Sequence, residues 1–285
     1  MLSFGLMSLP ALYGQSTSHQ HDETVPIYKV TVVQRALEAV NFQRHSGPTH
    51  LDLKGTVLMP QAEGDAKVTV KNGYTAVDAS FKHLEPPTQF GTEFLTYVLW
   101  AITPDGKSIN LGEVIPDGSN KASMQVTSPY STFGLLITAE PYFSVPYPSD
   151  VVVMESFVRP DTVGRVEQVH ARYDLLPRGQ YTLNIKPKDL PSASMKSDTG
   201  VGMREYEAIL ELYQARNAVQ IAKADGAEAA AADTFARAQQ YLNTAESAYA
   251  GKKDYNAVTN SARQAVQAAS DARSIAMRQK AAGAH

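Results

Sequence analysis

Through much of the first two thirds of the chain, apolar and polar positions alternate with a period of two. Ala66, Val68 and Val70 alternate with Lys67, Thr69 and Lys71. After Asn72-Gly73, Val77, Ala79 and Phe81 alternate with Asp78 and Ser80. Asn-Gly between two such runs predicts a hairpin, because both residues tolerate positive φ. Residues 94–102 (FLTYVLWAI) are apolar at both parities and hold the sole tryptophan, Trp100, so they predict a central strand. Asp105-Gly106 leads from it into 109–114, and Asp117-Gly118 leads on to Ala122, Met124 and Val126. Segments 133–139 and 151–154 continue the series. Earlier strands are expected at 28–33 and 51–58. Later ones are expected at 166–173 and 181–185, around the turn Pro177-Arg178-Gly179. Short strands punctuated by turn residues predict an antiparallel sandwich.

The period then changes. Ala208, Leu212, Ala215, Val219 and Ala222 recur at helical spacing and are followed by Gly226. Phe235, Ala238, Leu242, Ala245 and Tyr249 keep the rhythm up to Gly251. Val258, Ala262, Ala265, Ala269, Ala272 and Ala276 form a third stripe, with Asp254 placed to cap its start. Short connections make these antiparallel neighbours in a three-helix bundle or hairpin. An alanine stripe lets helix axes approach closely but buries little area per turn. Such a bundle needs the β part or another chain to complete its burial, which allows an oligomer through the helical part. The charged positions Arg216, Lys223, Arg237, Arg263, Arg273 and Arg278 read as solvated faces.

Composition sharpens the boundary. All 16 prolines lie at or before Pro191, whereas 25 alanines fall in the 85 residues from Val201. Proline punctuates turns and alanine is the best helix former. The expected organisation is a signal-like segment over 1–24, a β-sandwich domain over 25–190, a linker over 191–200 and an alanine-rich helical domain over 201–285. Residues 2–13 (LSFGLMSLPALY) are uncharged and apolar, shorter than the roughly 20 residues a spanning helix needs, and fit the apolar core of a secretory signal. No other run reaches spanning length, so no transmembrane span is expected. The address expected is periplasmic or extracellular, in a bacterial envelope.

With 285 residues, 43% of them apolar, the chain is long and apolar enough for a sizeable core. A net charge of −3 gives no basic face for phosphates, so nucleic acid is a poor fit. The absence of cysteine removes thiol chemistry, disulfides and Cys-ligated metal.

The stretch Tyr97-Val98-Leu99-Trp100, with Pro104-Asp105-Gly106, Leu111-Gly112, Asp117-Gly118 and Thr138-Ala139-Glu140-Pro141, resembles the extracytoplasmic domain of anti-sigma-K type regulators. That resemblance, over 97–155, implies an immunoglobulin-like sandwich outside the cytoplasm. Sigma-factor control is not carried over, for want of the family's spanning and sigma-binding segments. From about 213 to 277, Ala215-Arg216, Ala222, Gly226-Ala227, Ala238, Leu242, Ala245, Tyr255-Asn256-Ala257, Ala262 and Ala265 resemble an uncharacterised alanine-rich helical domain of bacterial envelope proteins. It is often found beside OmpA-like domains. The turn 251–257 also resembles that of tetratricopeptide helix pairs.

Catalytic sets are not apparent. There is no Gly-x-Ser-x-Gly, no His-Glu-x-x-His and no phosphate-cradling Gly-Lys-Ser/Thr loop. Seven histidines are scattered, and no cofactor or metal is expected. Glu113, Glu140, Asp150, Glu155 and His170 are the candidates for a carbohydrate-active enzyme, which needs two carboxylates or a histidine pair converging in a cleft. The segment 141–148 (PYFSVPYP) packs three aromatics among three prolines and suits a binding edge. Tyr142, Phe143 and Tyr147, extended by Tyr130, are the candidate binding residues. The expectation is a non-catalytic envelope protein with a structural or protein-interaction role and a protein or envelope component as partner. The alternative is a module sensing a glycan, peptide or small molecule at 141–148.

Overall fold

A computed structural model describes residues 37–43, 47–162, 164–169, 203–251 and 254–283. Among the described residues, ten antiparallel strands, with a 3-10 turn at Pro87–Phe90 between the fourth and the fifth, precede four α-helices. The strands are β1 (Leu37–Asn41), β2 (Thr49–Gly55), β3 (Glu63–Lys71), β4 (Tyr74–Lys82), β5 (Thr96–Ile102), β6 (Ser108–Val114), β7 (Ala122–Ser128), β8 (Thr132–Glu140), β9 (Val152–Val158) and β10 (Arg165–Val169). The helices are α1 (Met203–Ala224), the single turn α2 (Ala227–Ala230), α3 (Ala232–Ala250) and α4 (Tyr255–Gly283).

The turn chemistry read from the sequence operates locally. Lys71 pairs with Tyr74 across Asn72-Gly73, with Gly73 at φ 87°. Gly106 takes φ 82° between β5 and β6. At the next turn Asp117 does the work, its Oδ1 accepting the N–H groups of Ser119 and Lys121 at 2.8 and 3.0 Å. The left-handed residue there is Asn120, at φ 59°, rather than Gly118. Asp254 caps α4, its Oδ1 accepting the Asn256 N–H at 3.0 Å.

Strand β8 is the junction of the sheet. One edge pairs with β5 along its length. The other edge is divided between β1 at its start and β9 towards its end. From there the order runs β9-β2-β3-β4-β7 on one side and β5-β6 on the other. Strands β6 and β7 lie side by side, so the sheet nearly closes on itself. The sequence pattern did not single out β1, and the turn at 56–62 begins before the expected strand end at 58. The expected strands at 28–33 and 181–185 and the turn at 177–179 lie outside the described residues, as does the signal-like segment.

The parity of β5 explains the architecture. Tyr97, Leu99 and Ala101 point into the sheet's interior with Phe133, Leu135, Ile137, Val77 and Phe81. Val98, Trp100 and Ile102 point the other way, into a second core shared with Leu212, Ala215, Ala218, Val219, Val266 and Ala269 of the helices. A strand reads apolar at both parities when both faces are covered. Here the cover is the helical part, so the described sheet and helices fall in one compact unit across the compositional boundary.

Each predicted helical stripe is buried or half-buried. Helices α1 and α4 carry a second buried stripe as well: Glu211, Gln214, Ala218 and Ile221 on α1, Val266, Ser270 and Arg273 on α4. Among the described residues no helix is long and apolar enough to cross a membrane.

Candidate functional site

The second stripes of α1 and α4 meet the loop that leaves β8, residues 141–148. This seam holds most of the buried polar chemistry of the described residues. Its geometry starts in the sheet, where Trp100 Nε1 donates to Thr138 Oγ1 at 2.8 Å. Thr138 in turn donates to Glu140 Oε1, which also accepts the Ser149 N–H at 2.7 Å. Glu140 is fully buried, and its Oε2 has no hydrogen-bond partner among the described residues. Burial pushes its carboxyl up to about 8, against the pull of Thr138, Ser149 and Arg273.

The loop itself is clamped from three elements. Asn110 of β6 donates to the carbonyls of Phe143 and Val145 at 2.9 and 3.1 Å. Gln214 of α1 accepts the Phe143 N–H at 2.8 Å, and Asn217 donates to the carbonyls of Glu93 and Pro141, both at 3.1 Å. Ser270 of α4 donates to the Ser144 carbonyl at 2.5 Å. Arg273 donates to the Tyr142 hydroxyl at 3.2 Å and to Asp225 Oδ2 at 2.5 Å. Burial pushes the Tyr142 phenol up, so it stays a neutral hydroxyl.

A second charged cluster sits beside Phe143. The Arg263 guanidinium lies 4.1 Å from the ring centroid. Its Nη1 donates to Glu113 Oε2 at 3.1 Å and to Glu211 Oε1. Glu113 Oε1 accepts from Thr96 Oγ1 and Gln214 Nε2, both at 2.7 Å. Burial, helped by Glu113 and opposed by Arg263, pushes the Glu211 carboxyl up to about 8. Glu211 Oε2 likewise has no hydrogen-bond partner among the described residues.

The candidate binding residues do not gather into one exposed patch. Tyr142 is fully buried and Phe143 is half-buried between Arg263 and the helices, while Tyr147 remains 41% exposed. Tyr130, 39% exposed, precedes β8 and lies at its opposite end, a strand length of roughly 27 Å away. Of the carboxylates considered for catalysis, Glu113 and Glu140 are tied into the separate clusters above. Asp150 follows the 141–148 loop, Glu155 lies on β9, and His170 falls outside the described residues. Among the described residues no three His, Asp or Glu side chains gather as a metal site.

Two arginines depart from the solvated faces expected for them. Arg273 is 3% exposed and Arg263 is drawn onto Phe143 between two carboxyls. The sequence signal that marks them is a polar stripe at helical spacing beside an alanine stripe, as in Glu211-Gln214-Asn217. Arg237 and Arg278 are exposed. No family model, curated protein or solved structure matches the chain.

Proposed function

We propose that this chain is a non-catalytic protein of the bacterial cell envelope, periplasmic or extracellular, with a structural or protein-interaction role. In this reading the β part is an immunoglobulin-like sandwich and the helical part an antiparallel three-helix bundle acting as a scaffold. The observation that carries it is the use made of 141–148. The segment with the composition of a binding edge is occupied by the chain's own helices, and most of the polar groups around it pair internally. That arrangement suits a rigid two-layer body that presents its outer faces to a protein or envelope partner. It gives less support to a ligand sensor at 141–148, where Tyr147 is the one large ring left open. It also gives little support to a carbohydrate-active enzyme, because Glu113 and Glu140 are held in internal pairs. The export-like start and the two sequence resemblances support the envelope address.

Fractionation of cells expressing the native chain tests the address. The expected result is recovery with the periplasm or envelope. Full-length protein in the cytosol overturns it. Cross-linking of the intact protein in envelope extract tests the role, with a reproducible protein or cell-wall partner expected.

A further inference from the structure

The seam between sheet and helices contains two guanidinium groups and more carboxyl groups than they can neutralise. Arg263 faces both Glu113 and Glu211, and Glu207 adds to the negative field there. Arg273 is paired with Asp225, and Glu140 is the further carboxyl in its field, beside Tyr142. The hydroxyl groups of Thr138 and Thr96, the Ser149 N–H and the Gln214 amide supply neutral donors only. An ionised carboxyl with a bare oxygen inside a protein is far more costly than a neutral one. Among the described residues the carboxyl oxygens left bare here are Glu140 Oε2 and Glu211 Oε2, one in each cluster, alongside the neutral Ser144 Oγ and Asn217 Oδ1.

We propose that the helical part is held on the sheet by a proton-dependent latch. Leaving aside the exposed Glu207, each cluster carries one carboxyl more than its guanidinium neutralises, so the seam closes with Glu140 and Glu211 protonated. Loss of those protons lifts α1 and α4 from the 141–148 loop. The two protons leave to solvent as the carboxyls ionise. The freed surface is Tyr142, Phe143 and Val145 together with the outer face of β5, so the latch hides or presents an apolar, aromatic strip.

The sign follows from the direction of the shifts. Both carboxyls are raised in the closed state, so closure binds protons that the open state releases. Closure is therefore favoured at low pH, weakens as pH rises from the ordinary carboxyl range towards about 8, and levels off above it.

Trp100, fully buried in the shared core, reports on the seam. Its emission and the amide exchange of α1 and α4 are followed on the full chain from about pH 6 to about pH 9.5. The expected result is a red shift and faster exchange in α1 and α4 as pH rises, with a midpoint no higher than about 8, while β2, β3 and β4 stay protected. The Glu140→Gln/Glu211→Gln variant carries neutral isosteres and is expected to move that midpoint up by at least one pH unit or abolish it. Glu246→Gln, at the half-buried Arg216–Glu246 pair between α1 and α3, is expected to leave it in place. If the double variant loses its fold at pH 6, Glu211→Gln alone still shifts the midpoint upward. A seam that stays closed to pH 9.5, a midpoint unmoved by both glutamine variants, or loss of protection in β2–β4 at the same midpoint overturns the latch.

Discussion

Arg273 of α4 donates to the hydroxyl of Tyr142, 3.2 Å away and 131 residues earlier in the chain, while its Nε holds Asp225 at 2.5 Å. One buried guanidinium thus ties the end of α1 to the loop that leaves β8. Removing one partner of a buried ion pair leaves the other charged in a dry site, at about 3–5 kcal/mol. Arg273→Met is expected to destabilise the protein by that order, measured by urea unfolding. The exposed Lys223–Glu228 pair offers a contrast. Lys223→Met there is expected to change stability by less than about 1 kcal/mol.

The alanine stripe of α4 sets a second expectation. Ala265 is fully buried among the helices, and a larger side chain there pushes their axes apart. Ala265→Leu is expected to cost about 1–3 kcal/mol. Ala236→Leu, on the exposed face of α3, is expected to be near neutral. Equal effects on thermal melting would remove the argument for close-packed seams.

Gly134 lies where β8 passes under β1. A Cβ there would come within 2.7 Å of the Glu38 carbonyl and 2.9 Å of Leu37 Cγ. Gly134→Ala is expected to lower stability by about 1–3 kcal/mol and to speed amide exchange in β1 first. At Gly73 the space is open but φ is +87°, so Gly73→Ala is expected to cost about 1–2 kcal/mol through the backbone alone. Asparagine at that position should recover most of it.

The outer face of β5 and β8 depends on the helices for its cover. A chain ending before α1 would expose Val98, Trp100, Ile102, Leu136 and Tyr142 together. It is expected to be poorly soluble or to bind apolar dyes strongly. A soluble truncated chain whose tryptophan emission matches that of the intact protein would count against the shared core.

Local signals made most elements legible. Asn72-Gly73, the alternation in β3 and β4 and the alanine periodicity each act within a few residues. The double-sided apolar run of β5 was also legible, but the identity of its second cover was not, since that depends on helices over 100 residues away. The seam escaped for a related reason. Gln214, Asn217 and Arg273 are residue types that ordinarily face water. Only their register beside an alanine stripe, combined with a docked partner, makes them interior. The 141–148 segment illustrates the same limit. Aromatics stiffened by prolines suit an interface, and nothing in their spacing says whether the other side belongs to the same molecule.

The split edge of β8 has a consequence for how the molecule is made. Strands β1, β5 and β9 all converge on it, and its outer face waits for helices that come last in chain order. During synthesis the finished sheet therefore passes through a period with a sticky, tryptophan-bearing flank facing solvent. Surface of that kind invites aggregation until α4 covers it.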